Sequence, residues 1–490
     1  MPSDDIGARF VKRFQEGMEL PFPGGYRGSA DVFRDHNRHG VPPGRTPDDG
    51  GKDDFHDFIR DNQMDQTARP EVSNMKLCIR RGAKQIGGTC IEIEAHGKRI
   101  VLDIGLPLGS TDTESVVMPR VKGFKDPDDS LLGVVLSHPH LDHYGLAFRL
   151  PPSTRFLMGA ATERILAAAA VFTPSGGVFH NVTHLENGRT LSLGPFKITP
   201  YLMDHSAYDS HALLVEGDGK RIFYTGDLRA HGRKGSLFAR LVAHPPLDVD
   251  VLLMEGTTVG RTDIDDKFRS EEDLEKEFGS IFRTTAGMPL VWCSGQNIDR
   301  LVTVFKAARR CRRQLIIDMY TAEILRATEN KNIPQADWDG MKVFLPEFQK
   351  RWIKRTGNAA VAGKYKPYRI FPEELAAASR RCVMLFRPSM QTDMKSAGCL
   401  DGACLVYSLW DGYLEDPKNK SLLGWLKRRG IPLHKCHTSG HASIRDLKRL
   451  RKAFADAVVC PVHTADPVAF RELFQKIKVL ADGEYYDLPR

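Results

Sequence analysis

The 490-residue chain contains no run of about 18 consecutive apolar residues, so no transmembrane helix is expected. Its opening, MPSDDIGARF, lacks the basic-then-apolar order of a secretory leader. Neither a membrane nor export is indicated, and a cytoplasmic location is the expectation. Paired cysteines are missing as well. Cys78, Cys90, Cys293, Cys311, Cys382, Cys399, Cys404, Cys436 and Cys460 are scattered, odd in number and form no CxxC pair. That pattern fits reduced, mostly buried thiols and argues against a disulfide framework or a cysteine-held zinc. Internal repeats and low-complexity tracts are absent, which argues against a repeat architecture.

What is present is a soluble globular composition. With 41% hydrophobic and 27% charged residues the chain can bury a large core, and its length favours two domains over one. The formal net charge of +8 is a mild excess that only tilts the expectation toward a polyanionic partner. Local clusters say more: KAARRCRR (306–313), QKRWIKR (349–355), KRRG (427–430) and RDLKRLRK (445–452). Each alone reads as the solvated face of a helix. Their recurrence through the second half favours nucleic acid.

The first seventy or so residues differ from the rest. The stretch 21–54 is rich in Pro, Gly and charge with little periodicity, so 1–74 reads as an arm or leader rather than a domain. From Met75 strand patterns begin: KLCIRRG, then TCIEIEAHGKRIVLDIG around a Gly-containing turn, GVVLSHPH, three strands within 197–227 joined by tight turns such as EGDGK, and VDVLLMEGT. Each ends at a polar residue able to bind metal, the usual place for a site in a layered α/β fold. Beyond Arg261, EEDLEKEFGSIFRTTAG, MPLVWCSG, NIDRLVTVFKAARRC and QLIIDMY alternate helix, strand, helix and strand, which suggests a parallel sheet. CVMLFRPSM and ACLVYSLW continue it, and histidines in loops then return near 431–470.

The segment LSHPHLDHYG carries the densest chemistry. A loop reading His-x-His-x-Asp-His can supply two adjacent metals, with His138 and His140 on one side of the turn and Asp142 and His143 toward a second ion. Further ligands follow at strand ends: His205 in MDHSAYDS and Asp227 in FYTGDLRAHG. Asp103 in VLDIG is placed to orient a ligand through a hydrogen bond.

This order of motifs resembles the metallo-β-lactamase superfamily. The resemblance implies an α/β fold, an αββα sandwich, in which His138, His140 and His205 hold one zinc, Asp142 and His143 a second, and Asp227 bridges them. Glu255 in LLMEGTTVG, His441 in HTSGHAS and His463 in CPVHTAD bracket a long insertion, a pattern similar to the β-CASP nucleases and within them to the ribonuclease J branch. The implied division is an arm at 1–74, the sandwich at 75–260 and 431–490, and an inserted β-CASP α/β domain at 261–430.

The implied roles follow. His463 completes the second zinc's ligands, and Glu255 aims a catalytic histidine. His441 faces the scissile phosphate, and Asp142 and Asp227 are catalytic carboxylates as well as ligands. His437, Ser439 and Ser443 flank His441 and, with backbone amides at a helix start, are candidates to grip phosphate. Ser294 in SGQNIDRL, and Arg387 and Ser389 in FRPSMQTD, are candidates on the insertion, although FRPSMQTD stands where those nucleases show a glycine-rich turn. Histidine rather than valine at position 463 favours RNA in that family.

The expected function is zinc-dependent cleavage of single-stranded RNA, exonucleolytic or endonucleolytic. Two zinc ions per chain are implied, and manganese suits the same oxygen and nitrogen donors. Alternatives are cleavage of DNA, with single-stranded DNA as partner, hydrolysis of a small ester or lactone under the second domain as a lid, and a nuclease subunit whose arm docks a protein partner. A homodimer is a further expectation.

Overall fold

The structure, a computed structural model, describes residues 75–488 apart from Thr111 and 174–176. The expected arm at 1–74 lies outside the described residues. Two sheets face each other across one core. The first holds Lys76–Arg81 (β1), Cys90–Ala95 (β2), Lys98–Leu102 (β3), Leu131–Val135 (β4), Phe156–Gly159 (β5) and Val182–Leu185 (β6), with Tyr485–Asp487 (β19) added beside β1. The second contains Leu191–Leu193 (β7), Phe196–Leu202 (β8), His211–Gly217 (β9), Lys220–Tyr224 (β10), Val251–Glu255 (β11) and Val458–Val462 (β18), in the order β18-β11-β10-β9-β8-β7.

Local sequence explains the hairpins. Ala95 pairs Lys98 across His96 and Gly97, both left-handed at φ 50° and 68°, and Gly217 pairs Lys220 across Asp218 and Gly219 at φ 47° and 71°. Two successive left-handed residues match the right-handed strand twist, so these turns fix register. Alternation then sorts each strand. Ile91, Ile93, Leu213, Val215, Ile222 and Leu253 meet between the sheets. Leu214, Phe223, Leu252 and Met254 point the other way, against Phe238, Leu241, Leu447 and Leu450 of the covering helices. The outer face of the first sheet is covered likewise around Val101, Val134, Leu146 and Leu166. The architecture is the four-layer αββα sandwich read from the sequence.

The third sheet is wholly parallel: Pro289–Trp292 (β12), Gln314–Asp318 (β13), Met341–Phe344 (β14), Cys382–Leu385 (β15), Cys404–Tyr407 (β16) and Leu433–Lys435 (β17), ordered β14-β13-β15-β12-β16-β17. It carries an apolar cluster on each face. One of these takes in Ile165, Ala168, Ala169 and Phe172 from the helix Ala160–Ala170 and the turn after it, so sandwich and insertion share a continuous core. Among the described residues no helix is long and apolar enough to cross a membrane.

Candidate metal centre

The site residues hang from strand ends at one edge of the sandwich. Asp103 follows β3, the HPHLDH loop follows β4, His205 follows β8, Asp227 follows β10, Glu255 closes β11 and His463 follows β18. Asp103 and His463 both sit in left-handed backbone, at φ 59° and 51°. Non-glycine residues rarely adopt that conformation, and such strain concentrates at functional sites.

Two groups of ligand atoms result. In the first, His138 Nε2 lies 3.1 Å from His140 Nδ1, and His205 Nε2 lies 3.2 Å from the same atom. In the second, His143 Nε2 is 3.7 Å from Asp142 Oδ2 and 3.2 Å from Asp227 Oδ2, while His463 Nε2 is 3.4 Å from Asp142 Oδ2. Each group's ligand atoms fall within 4.8 Å of one another. Asp227 Oδ2 belongs to both neighbourhoods, at 3.8 Å from His138 Nε2 and 3.9 Å from His205 Nε2. The residues expected to hold each ion, with Asp227 between them, are therefore together.

Hydrogen bonds orient these rings. Asp103 accepts from Ser137 N (2.7 Å), Ser137 Oγ (2.8 Å), His143 Nδ1 (2.8 Å) and Tyr224 OH (2.7 Å). With the Ser137 proton committed to Asp103, His138 Nδ1 donates to Ser137 Oγ at 2.9 Å. His205 Nδ1 donates to Gly440 O (2.9 Å), and His463 Nδ1 meets Thr89 Oγ1 (2.9 Å). In each ring the outer nitrogen is engaged, which leaves the inner one to offer a lone pair.

The donor set fits metal ions. Both carboxylate oxygens of Asp142 and of Asp227, and Nε2 of His143 and His463, are buried without a hydrogen bond. Buried polar atoms are otherwise almost always satisfied, so a cluster of acceptors turned on one another calls for cations. Burial pushes His140 and His463 down to about 3, keeping them neutral, and lifts Asp142 to about 7. Burial also favours neutral Asp227, yet the surrounding histidines, among them His143 at 3.2 Å, hold its carboxyl well below the usual range. Neutral His140 and His463 beside an ionised Asp227 are in the protonation states that bind metal. His143, despite burial, is raised well above its ordinary value by Asp227, Asp142 and Asp103, so a cation there would displace its proton.

His441 closes the site, buried, with Nδ1 3.5 Å from Glu255 Oε2 and 3.8 Å from Asp227 Oδ2. Glu255 in turn accepts from Ala442 N (3.3 Å) and Thr257 N (2.9 Å), tying the two loops together. Burial opposes protonation of His441, but Glu255 and Asp227 outweigh it and raise the imidazole above its ordinary value.

The phosphate-gripping candidates fare unevenly. Ser439 Oγ accepts from His441 N at 3.0 Å, so it shapes that loop. Ser443 caps the helix Ile444–Ala453: its hydroxyl accepts from Asp446 N (3.2 Å) and donates to Asp446 Oδ2 (2.8 Å). Arg387 is likewise committed, with Nε 2.6 Å from Asp318 Oδ2 and Nη2 3.1 Å from Thr321 Oγ1. Ser294 Oγ accepts from Gln296 N (3.2 Å). His437 Nδ1 and Ser389 Oγ are buried without hydrogen bonds; burial, then Arg300, push His437 down to about 3.

Three supports escaped the sequence reading: Thr89, Ser137 and Tyr224. Ser137 adjoins His138 and Tyr224 lies three residues before Asp227, a proximity that was available as a signal. Thr89 is 374 positions from His463 and carried none.

A beta-lactamase superfamily domain model matches residues 109–272. Ribonuclease J of Mycobacterium tuberculosis is 25% identical over 239 residues, 46% of this chain and 41% of that protein. An RNase J-like protein of Methanocaldococcus jannaschii is 24% identical over 366 residues, covering 71% and 77%. Transcription termination factor FttA of Methanothermobacter thermautotrophicus is 24% identical over 246 residues, covering 45% and 38%. The match thus spans about two-fifths of the first curated relatives, 41% of their length. A crystal structure titled as a protein of unknown function from Enterococcus faecalis V583 superimposes with a TM-score of 0.69 at 20% identity over 84% of this chain and 99% of that one, a likeness of fold.

Sandwich, ligand order and domain match together make the chain similar to beta-lactamase superfamily proteins, with the matched residues 109–272 carrying the HPHLDH loop, His205, Asp227 and Glu255. Among the relatives that it resembles are proteins named ribonuclease J and RNase J-like protein.

Proposed function

We propose that the protein is a two-zinc phosphodiesterase that cleaves RNA, held as a single strand between the sandwich and the inserted domain. One observation carries the reading: Asp227 Oδ2 lies within 3.9 Å of ligand nitrogens from both histidine groups, amid carboxylate oxygens and imidazole nitrogens that are buried without a hydrogen bond. A pair of divalent cations bound there neutralises phosphate charge and lowers the pKa of water.

The chain's own groups supply the rest. His138, His140 and His205 present one face of the site, and Asp142, His143 and His463 the other, with Asp227 shared. His441, kept protonated by Glu255, donates a hydrogen bond to a phosphate oxygen or passes its proton to the leaving oxygen. Glu255 fixes His441 through Ala442 N and so sets where that proton is delivered. Names of relatives that act on or with RNA support the substrate class. Manganese is compatible with the same donors.

The test incubates purified protein with labelled single-stranded RNA, labelled DNA and a generic ester, each with and without chelator. Chelator-sensitive cutting of RNA is expected. Intact RNA beside a hydrolysed ester refutes the reading, and preference for DNA moves the enzyme to the DNA-cleaving alternative.

A further inference from the structure

A second buried polar cluster lies against the metal centre and has no part in the chemistry above. It comprises the cations Arg229, Arg233, Lys234 and Arg300 and the carboxylates Asp204, Glu271, Glu275 and Asp299, all buried. Arg229 stands at its middle, on the loop two residues beyond Asp227. Its Nη2 donates to Asp299 Oδ2 (2.8 Å) and its Nη1 to Ser439 O (3.1 Å); Nε lies 3.5 Å from Asp204 Oδ1, and Nη1 3.7 Å from Glu271 Oε1.

Each partner adjoins something functional. Asp204 precedes the ligand His205, and Ser439 lies two residues before His441. Asp299 and Glu271 belong to the first turns of Ile298–Arg310 and Glu271–Thr284, both helices of the insertion. Neighbouring bonds repeat these links. His231 Nε2 also donates to Ser439 O (2.8 Å), Gly232 N donates to Asp204 Oδ2 (2.8 Å) and Arg233 N to Asp299 Oδ2 (2.8 Å). At Gly232 a Cβ would fall 2.3 Å from Asp204 Oδ1 and 2.4 Å from Arg229 Nη2, so only glycine lets the loop close over the guanidinium.

Buried ion networks are poor sources of stability, because apolar side chains of the same volume serve as well; what they supply is orientation, since each partner accepts one geometry. A guanidinium is a planar fork with five donors, able to hold several acceptors at fixed angles, as a lysine ammonium cannot. We propose that Arg229 is a positioning residue that sets the inserted domain, His205 and His441 in one register, so that a phosphodiester gripped by the insertion meets the metal centre in line. This rests on the phosphodiesterase reading, but the coupling itself does not.

Two measurements test it. The first is steady-state hydrolysis of an RNA oligonucleotide by Arg229→Lys and Asp299→Asn, with metal content per chain determined on the same samples. The register argument predicts that kcat falls about tenfold to 10²-fold in both while KM and metal content hold within about twofold, since a misplacement near 1 Å is costly for chemistry and not for binding. The second is hydrogen exchange of backbone amides in 437–443, referenced to the central strand β9, in the Arg229→Lys protein. Faster exchange confined to that segment is expected. Should Lys restore kcat to within about twofold of wild type, or metal loss account for the fall, or exchange at 437–443 stay unchanged, Arg229 is a filler and the proposal is overturned. A wild-type protein inactive on RNA removes the phosphodiesterase reading instead, and exchange then decides the coupling alone.

Discussion

Replacing Asp103 by Asn changes one atom and tests how the ligand rings are held. The Asp103 carboxylate accepts four hydrogen bonds: Oδ1 takes Ser137 N, and Oδ2 takes Ser137 Oγ, His143 Nδ1 and Tyr224 OH, all between 2.7 and 2.8 Å. An amide must put a donor at one of these positions. Placed at Oδ1, its NH2 meets the backbone N–H of Ser137, which cannot reverse. Placed at Oδ2, it meets His143 Nδ1 and forces the imidazole to move its proton to Nε2, the atom turned toward Asp142 and Asp227.

Either arrangement costs about 1.5–3 kcal/mol of folding stability, the worth of a hydrogen bond to a charged group. The second also weakens metal binding about 10- to 100-fold, the usual effect of losing a partner behind a ligand. That is about 1.4–2.8 kcal/mol. The assay is a metal competition titration against a chromophoric chelator, read as ions bound per chain, with turnover followed as zinc is added back. Asp103→Asn should bind its weaker ion less tightly and recover activity in excess zinc. Two ions held as tightly as in wild type would refute the argument that Asp103 fixes the His143 tautomer.

His441→Ala should keep both metals and lose about 10²- to 10⁴-fold in kcat, as a missing acid–base group does; elemental analysis showing metal loss would reassign it as a ligand. Glu255→Gln removes the carboxylate that raises His441, so the imidazolium is lost at lower pH and the basic limb of the kcat profile moves toward acid; an unmoved limb contradicts the pairing. Asp227→Ala, by removing the oxygen both groups share, should drop metal content below two and abolish turnover, and undiminished metal would show that it bridges nothing. Ser443→Ala should lower stability by about 1 kcal/mol through loss of a helix cap, read by thermal unfolding, and leave KM for RNA alone; a raised KM restores its phosphate role.

Much of the site was legible because metal ligation is local in sequence. Four ligand residues lie within the six positions 138–143, and the others stand at the ends of strands whose apolar runs are easy to read. Asp103 and Glu255 were legible for the same reason. Less visible was what a polar side chain does when two roles share one pattern. Ser443 opening a helix looks like a phosphate cradle, and Asp446 three residues on also makes it a Ser-x-x-Asp cap. Arg387 was read as a phosphate candidate with no sign of its ion pair, because the partner, Asp318, is 69 positions away. QKRWIKR was legible as a helix face and lies in Glu347–Arg355, whereas the four-residue strand β14 was not read. The Arg229 cluster was hidden altogether, since its members are spread from 204 to 300.

The most direct measurement is anomalous X-ray diffraction at the zinc edge from crystals grown with zinc. Two peaks about 3.5–4 Å apart are predicted, one among His138, His140 and His205, the other among Asp142, His143 and His463, with Asp227 between them. An empty map at these residues, or a single peak touching neither group, would contradict the account.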